Sequence, residues 1–153
     1  MPNIGVTKKH WEWAVNPNPR EKASFLKENI LPIKESGQLH FFDTSKDFMA
    51  DFAMFEANGH TEAMMLPLIK YKNTTIAYMA DLIPSAAHLP IPYVMGYDMF
   101  PLTTLNEKKA FLTEALANDY ILFFEHDPVN ECCNLQMTEK GIRQKDVFKL
   151  SEV

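Results

Sequence analysis

The clearest structural signal in the chain is the stretch Tyr120-Ile121-Leu122-Phe123-Phe124-Glu125-His126, residues 120–126. Its first five positions are apolar, which is typical of a β-strand that is covered on both faces. His126 comes directly after the apolar run, where a side chain can reach the rim of a sheet. The stretch therefore predicts a central strand of a mixed α/β fold that presents a histidine at one end.

Two more polar residues follow apolar, strand-like runs. His60 lies in Asn58-Gly59-His60-Thr61, and Asp81 lies in Met79-Ala80-Asp81. Side chains from several strand ends can meet at one rim of a sheet, and imidazole and carboxylate are ligand types that Zn²⁺ accepts. His60, Asp81 and His126 therefore predict a metal site. Each has an ordinary alternative, respectively a turn histidine, a carboxylate that accepts backbone amides, and a histidine bonded to its neighbour Asp127.

Around these residues the apolar periodicity changes between that of helices and that of strands. Helices are expected at residues 7–15, from 20–22 to 33 with Pro32 as a kink or end, and from a capping box at 104–107 to about 118. Strands are expected at residues 39–42, 52–55, 62–71, 75–79 and 120–124, with edge strands at 133–137 and 147–150. Residues 84–101 carry four prolines and are expected to form a shaped loop beside the site. The charged run Glu107-Lys108-Lys109 indicates a solvated helix face.

Composition excludes several classes of protein. The 153 residues include 15 basic and 20 acidic ones, a formal charge of -5, so binding to nucleic acid is not expected. No apolar run approaches the roughly 20 residues that cross a bilayer, and the first residues lack the layout of a signal peptide, so we expect a cytoplasmic protein without a membrane partner. Cys132 and Cys133 are adjacent, which indicates two small buried side chains rather than a disulfide framework or a thiolate zinc site.

The order and context of Gly59-His60-Thr61, Asp81 and His126 resemble the C-terminal half of the metallo-β-lactamase-fold hydrolases. The similarity is strongest to the branch of metal-dependent hydrolases and acyl-homoserine lactonase-like enzymes, in residues 80–88 and 123–128. The resemblance implies one half of an αββα sandwich, a mostly antiparallel or mixed sheet with flanking helices, over a single domain of residues 1–153. It also implies a small-molecule substrate.

The same resemblance implies the role of each site residue. His60 would bind a first metal, Asp81 would bridge two metals, and His126 would bind the second. Apart from the resemblance, the neighbouring Asp127 could orient His126 through a hydrogen bond. Zinc is the implied metal, and this mixed nitrogen and oxygen set also tolerates iron or manganese. A bridging carboxylate is physically sensible because its two oxygens can neutralise part of the charge of two neighbouring cations.

One part of the family pattern is absent from this sequence. The family's His-x-His-x-Asp-His signature does not occur around any of the five histidines, which are His10, His40, His60, His88 and His126. Half of the metal site is therefore expected to be missing, and an open apolar sheet face is expected to drive association. The chain could be a truncated enzyme, the partner of a separate N-terminal half, or a degenerate domain that forms a homo-oligomer.

The expected activity is metal-assisted hydrolysis of an ester, lactone, amide or thioester, with little turnover by this chain alone. His88, seven residues after Asp81, could polarise a substrate carbonyl or donate a proton to the leaving group, and its alternative is an ordinary loop residue. The lactonases of the family commonly carry a tyrosine where this chain has Pro84, which weakens a lactonase assignment unless His88 or Tyr93 substitutes. The alternative function is a non-catalytic oligomeric or interaction module derived from such a hydrolase.

Overall fold

The computed structural model describes residues 3–43 and 49–153. The chain divides into two compact units, residues 1–48 and residues 49–153. The single domain over residues 1–153 stays a prediction. No helix in the described ranges is both long and apolar enough to cross a membrane.

The first unit contains two short strands and two helices. They are β1 (Ile4–Val6), α1 (Lys8–Val15), α2 (Lys27–Glu35) and β2 (Leu39–Phe41), and β1 pairs with β2 in parallel. The helix predicted at residues 7–15 is confirmed: Thr7 is its N-cap and accepts a hydrogen bond from the amide of His10.

The second helix begins later than predicted, at Lys27 rather than at residues 20–22. The Asn18 side chain accepts the amides of Arg20 and Glu21 at 2.8 and 3.1 Å, which holds this segment in a turn instead of a helix. Pro32 lies inside α2 and does not end it.

The second unit is built on a six-stranded mixed sheet. Its strands, in spatial as well as chain order, are β3 (Phe52–Ala57), β4 (Met64–Tyr71), β5 (Thr74–Tyr78), β6 (Ile121–Phe123), β7 (Cys132–Thr138) and β8 (Gly141–Phe148). Only the β5 and β6 pair is parallel. A parallel pair needs a long crossover, and here it contains the 84–100 loop and helix α3 (Pro101–Ala117). The predicted mixed α and β architecture is confirmed.

The core of this unit lies between α3 and the sheet. Phe111 and Leu112 of α3 are buried together with Leu66 and Leu122 of the strands, in one continuous apolar cluster. Cys133 joins that cluster and Cys132 is also fully buried, which confirms the expectation of two buried free thiols.

Two strand details differ from the sequence-based expectations. The turn between β4 and β5 has only two residues, because Tyr71 already pairs with Thr74, and Lys72 adopts a positive φ of 52° there. Strand β7 is not an edge strand, since it lies between β6 and β8, and β8 alone forms that edge. Its fully buried Cys132 and Cys133 fit the interior position.

Candidate metal site

The three predicted ligands converge on the carboxylate of Asp81. The His60 Nε2 atom lies 3.3 Å from Asp81 Oδ2, and the His126 Nε2 atom lies 3.3 Å from Asp81 Oδ1. Each imidazole therefore faces its own oxygen of one carboxylate. His60 and His126 come from segments that are 66 residues apart in sequence, so the fold brings them together.

The sheet places Asp81 beside His126. Because β5 and β6 are parallel neighbours, their C-terminal ends reach the same edge of the sheet. Two backbone hydrogen bonds continue this alignment past the strands, from the Met79 amide to the Phe123 carbonyl at 2.9 Å and from the His126 amide to the Pro84 carbonyl at 3.0 Å. The two strand ends therefore present their polar side chains at one rim, as the sequence predicted.

Helix α3 holds the turn that carries His60. The Glu107 carboxylate accepts the amides of Asn58 and Gly59 at 2.8 and 3.0 Å. A Cβ atom on Gly59 would lie 2.3 Å from the backbone nitrogen of Thr104, so only glycine permits this close approach of turn and helix. His60 is thus placed by a tight contact between its turn and the first turns of α3.

The capping box predicted at residues 104–107 is wrong. Helix α3 begins at Pro101, with Phe100 as its N-cap, so Thr104 and Glu107 lie within the helix. Proline fits the first helical position because that position needs no amide donor and favours the fixed φ of proline. Glu107 is therefore free to bind the amides of the His60 turn.

Asp98 completes the surroundings of His60, and sequence reasoning did not select it. The His60 Nδ1 atom lies 2.9 Å from Asp98 Oδ1, and the Asp98 side chain is fully buried. Beside this contact, the Met99 amide donates to the His60 carbonyl at 3.1 Å. The available signal was that Asp98 is the one charged residue in the apolar stretch 95–102.

The charges around His60 favour its protonated form when no metal is bound. Burial lowers the pKa of His60, but hydrogen bonds to Asp81 and Asp98 and their negative charges raise it to about 9. The hydrogen bond to His60 lowers the pKa of Asp81. Asp81 Oδ1 and Asp98 Oδ2 are buried without a hydrogen-bond partner among the described residues.

On each side of Asp81, one imidazole and one carboxylate oxygen fit two positions of a metal ion, but the further ligands are missing from the described residues. Two ligands of a tetrahedral zinc, each about 2.0–2.2 Å from the ion, are separated by about 3.3 Å, which matches both His–Asp distances. Asp81 Oδ1 is buried and accepts no hydrogen bond from the described residues, which also suits a cation. However, within residues 3–43 and 49–153 no group of three or more His, Cys, Asp or Glu side chains is arranged to hold one ion.

Contrary to the prediction, the Asp127 carboxylate forms no hydrogen bond with the His126 ring. Its carboxylate accepts the amides of Ala86, Val129 and Asn130 at 3.0, 2.9 and 2.8 Å. Burial raises the pKa of Asp127, but these backbone hydrogen bonds outweigh it and lower the pKa to about 2. Asp127 therefore shapes the loop after β6, as acidic turn residues commonly do, instead of orienting the imidazole.

His88 lies in the proline-rich loop, in a short 3-10 turn at Ala86–His88. Its Nδ1 atom is 2.8 Å from Ser85 Oγ, and burial lowers its pKa. In the part of the chain that the structure describes, no hydrogen bond or ion pair joins His88 to the three predicted ligands. Its catalytic role stays a prediction.

Lys108 corrects the expectation of a solvated charged face on α3. Its side chain is fully buried, and its ammonium donates to the backbone carbonyls of His88, Pro90 and Tyr93 at 2.6, 3.1 and 2.6 Å. Burial lowers its pKa to about 8. The ammonium supplies hydrogen bonds to an irregular loop that has no strand partner to satisfy its carbonyls.

Comparison with known proteins adds the fold family. No protein-family model and no curated protein matches the sequence. A probable metal-dependent hydrolase from Staphylococcus aureus matches in structure with a TM-score of 0.78 and 19% identity, over 94% of this chain and 52% of that one. The dizinc quorum-quenching lactonase AidC, in complex with a hexanoyl-homoserine product, matches at 0.74 and 22% identity, over 95% and 55%.

A third solved structure gives the same result. The hydrolase AbOPH of the beta-lactamase superfamily matches with a TM-score of 0.77 and 14% identity, over 95% of this chain and 55% of that one. The chain thus spans about half the length of each of these three structures. Its fold is that of about half of a metallo-β-lactamase-fold protein, as the resemblance in sequence predicted.

Proposed function

We propose that this chain is the C-terminal part of a metal-dependent hydrolase that cleaves an ester, lactone, amide or thioester. The observation that carries the proposal is the pair of imidazoles, His60 and His126, on the two oxygens of the Asp81 carboxylate. The similarity to hydrolases in fold supports the reaction class, and the lactonase among them makes a lactone the first substrate class to examine.

His60, Asp81 and His126 would hold the metal ions, with Asp81 shared between them. Zinc suits this set best, and iron or manganese are also compatible with nitrogen and oxygen ligands. A bound metal would polarise the substrate carbonyl and acidify water. Before metal binds, His60 must release the proton that its pKa of about 9 retains at neutral pH.

His88 is the proposed proton donor to the leaving group. Its Nδ1 is engaged by Ser85 Oγ at 2.8 Å, which leaves Nε2 as the ring nitrogen available to a substrate. The hydrogen bond from Lys108 to the His88 carbonyl fixes the backbone at this position. In an enzyme completed by the remaining ligands, the expected effect of His88→Gln is a fall in kcat with metal binding unchanged.

The remaining ligands would come from a complementary half, either in a longer chain or in a partner. Two observations support this: no complete ligand group occurs among the described residues, and the chain spans about half of the structures it matches. The chain alone should therefore bind metal weakly and turn over little substrate. Rapid metal-dependent lactone or ester cleavage by this chain alone would contradict that part of the proposal.

A cobalt titration of the full chain, followed by visible absorption, tests the proposal. We expect a saturable signal from nitrogen and oxygen ligation that disappears in Asp81→Asn. Asp146→Asn is the matched control, because it removes the same charge at a side chain that is 61% exposed. If the unaltered chain gives no more signal than Asp81→Asn, the hydrolase proposal fails.

The incomplete ligand group also favours a second candidate, a non-catalytic module that acts by association. Solution mass measured beside the cobalt titration separates the two. A metal-free homo-oligomer would support the module, and a cobalt-binding chain would support the hydrolase.

A further inference from the structure

We propose that Asp98 is a positioning residue that fixes the His60 ring so that its Nε2 faces Asp81. The consequence for metal affinity rests on the proposed function, whereas the orientation of the ring does not. The geometry is a carboxylate on one ring nitrogen, at 2.9 Å, and the Asp81 carboxylate on the other, at 3.3 Å.

The contact selects which nitrogen carries the proton. A carboxylate accepts hydrogen bonds only, and Asp98 lies closer to Nδ1, at 2.9 Å, than Asp81 does to Nε2, at 3.3 Å, so in the neutral ring Nδ1 keeps the proton. In neutral imidazole the other nitrogen, Nε2, then holds the lone pair that a metal requires. Asp98 therefore presents the correct tautomer of His60 toward Asp81, which is how carboxylate partners commonly orient metal-bound histidines.

The backbone keeps Asp98 in register with His60. The Met99 amide donates to the His60 carbonyl, and the Phe100 amide donates to the Gly59 carbonyl at 2.8 Å. The Asp98 amide is itself bonded to the Met95 carbonyl at 3.1 Å, which closes a turn just before this contact. The backbone of Asp98 therefore cannot shift relative to His60 without breaking the pairing of two segments.

Burial of Asp98 argues against a purely packing role. Its side chain has no exposed surface, and Oδ2 lacks a hydrogen-bond partner in the described chain. Burying a carboxylate is costly unless a partner uses its charge, so an apolar residue would fill the same space at lower cost. The partners here are the His60 ring and the positive charge of Lys108, which interacts with Asp98 electrostatically.

Nitrogen-15 NMR of histidine-labelled full chain tests the orientation without metal. Long-range correlations separate Nδ1 from Nε2, because only Nε2 couples strongly to the Hδ2 proton. We expect a slowly exchanging His60 Nδ1–H proton in the unaltered chain, weakened in Asp98→Asn and absent in Asp98→Ala. An unprotected Nδ1 in the unaltered chain would overturn the proposal, and this readout needs no variant to fold.

Zinc competition with a coloured chelator tests the consequence. We expect Asp98→Ala to lower zinc affinity by about 10–100-fold and Asp98→Asn to lower it less, because the amide oxygen can still accept the Nδ1 proton. Asp146→Asn should bind zinc as the unaltered chain does. Unchanged zinc affinity in folded Asp98→Ala would overturn the proposal. If the unaltered chain binds no zinc, the proposed function fails and the NMR result alone decides the role of Asp98.

Discussion

The two imidazoles beside Asp81 are held very differently. The His60 side chain is 17% exposed, and both of its ring nitrogens lie near carboxylates, Asp81 at 3.3 Å and Asp98 at 2.9 Å. The His126 side chain is 55% exposed, with Asp81 at 3.3 Å and Glu125 only at 4.0 Å. The His60 side of the candidate site is therefore preorganised, and the His126 side is exposed to solvent.

The difference follows from the elements behind each residue. Helix α3 supports the His60 side, through Glu107 on the turn amides and through the close approach of Gly59 to Thr104. His126 depends on the end of β6 and on one backbone bond to Pro84. An open side suits a position that a complementary half would complete.

Removing each imidazole in turn should give the largest contrast. His60→Ala leaves the buried Asp98 carboxylate without its main partner, so we expect unfolding to become easier by about 3–5 kcal/mol in the metal-free chain. His126→Ala, at an exposed ion pair, should cost less than about 1 kcal/mol. Urea unfolding at pH 7 measures both, and equal costs would contradict the contrast.

Lys108 offers a test of the loop beside the site. Lys108→Met leaves several buried carbonyls without a donor, so we expect a loss of up to about 3 kcal/mol in unfolding free energy. Lys109→Met, at the adjacent exposed position, is the matched control and should change stability by less than about 0.5 kcal/mol. If the two variants unfold alike in urea, the buried ammonium does not organise the loop.

The glycine contact is expected to have a smaller effect. Gly59→Ala places a Cβ atom 2.3 Å from the Thr104 nitrogen, and relief of that clash should cost about 1–3 kcal/mol and shift His60. Gly96→Ala is the control, because nothing lies within 4 Å of its added Cβ. Thermal unfolding compares them; a Gly59→Ala variant as stable as Gly96→Ala would show that turn and helix are not in tight contact.

The pH dependence tests the charge of His60 separately from its packing. The pKa of His60 is about 9 in the folded chain against 6.5 for a free histidine, so its stabilising contribution is complete below pH 6.5 and is lost as pH rises to about 9. Lys108, whose pKa is lowered to about 8, has the opposite effect: it makes the folded chain more stable as the pH rises above that value. The difference in unfolding free energy between the unaltered chain and His60→Ala therefore isolates His60, and it should shrink from pH 6 to pH 9.5. A constant difference would contradict the raised pKa.

The sequence predicted the three candidate ligands but not the residues that hold them in place. Asp81 and His126 could be predicted to meet because each follows a strand, and parallel neighbouring strands end at one edge. Asp98, Glu107 and Lys108 could not, because their roles depend on where α3 lies against the loops. Local patterns indicated other roles: Glu107 completes a capping-box motif, and Lys108 lies in a charged run that is typical of a solvated helix face.

The same limit explains the misjudged Asp127. Adjacency to His126 in sequence suggested a contact, but consecutive residues at a strand end point in different directions. The Asp127 carboxylate instead accepts hydrogen bonds from the amides of its own loop. The carboxylate that does contact His60 belongs to Asp98, which is 38 positions away from it in sequence.

A crystal structure of the zinc-loaded chain, with anomalous scattering recorded at the zinc edge, would show whether this chain builds one side of a metal site on Asp81 from its own residues. We expect an anomalous peak within bonding distance of His60 Nε2 and Asp81 Oδ2, and a weaker one or none beside His126. Zinc bound only elsewhere, or no peak at Asp81 in a crystal soaked with saturating zinc, would contradict this expectation.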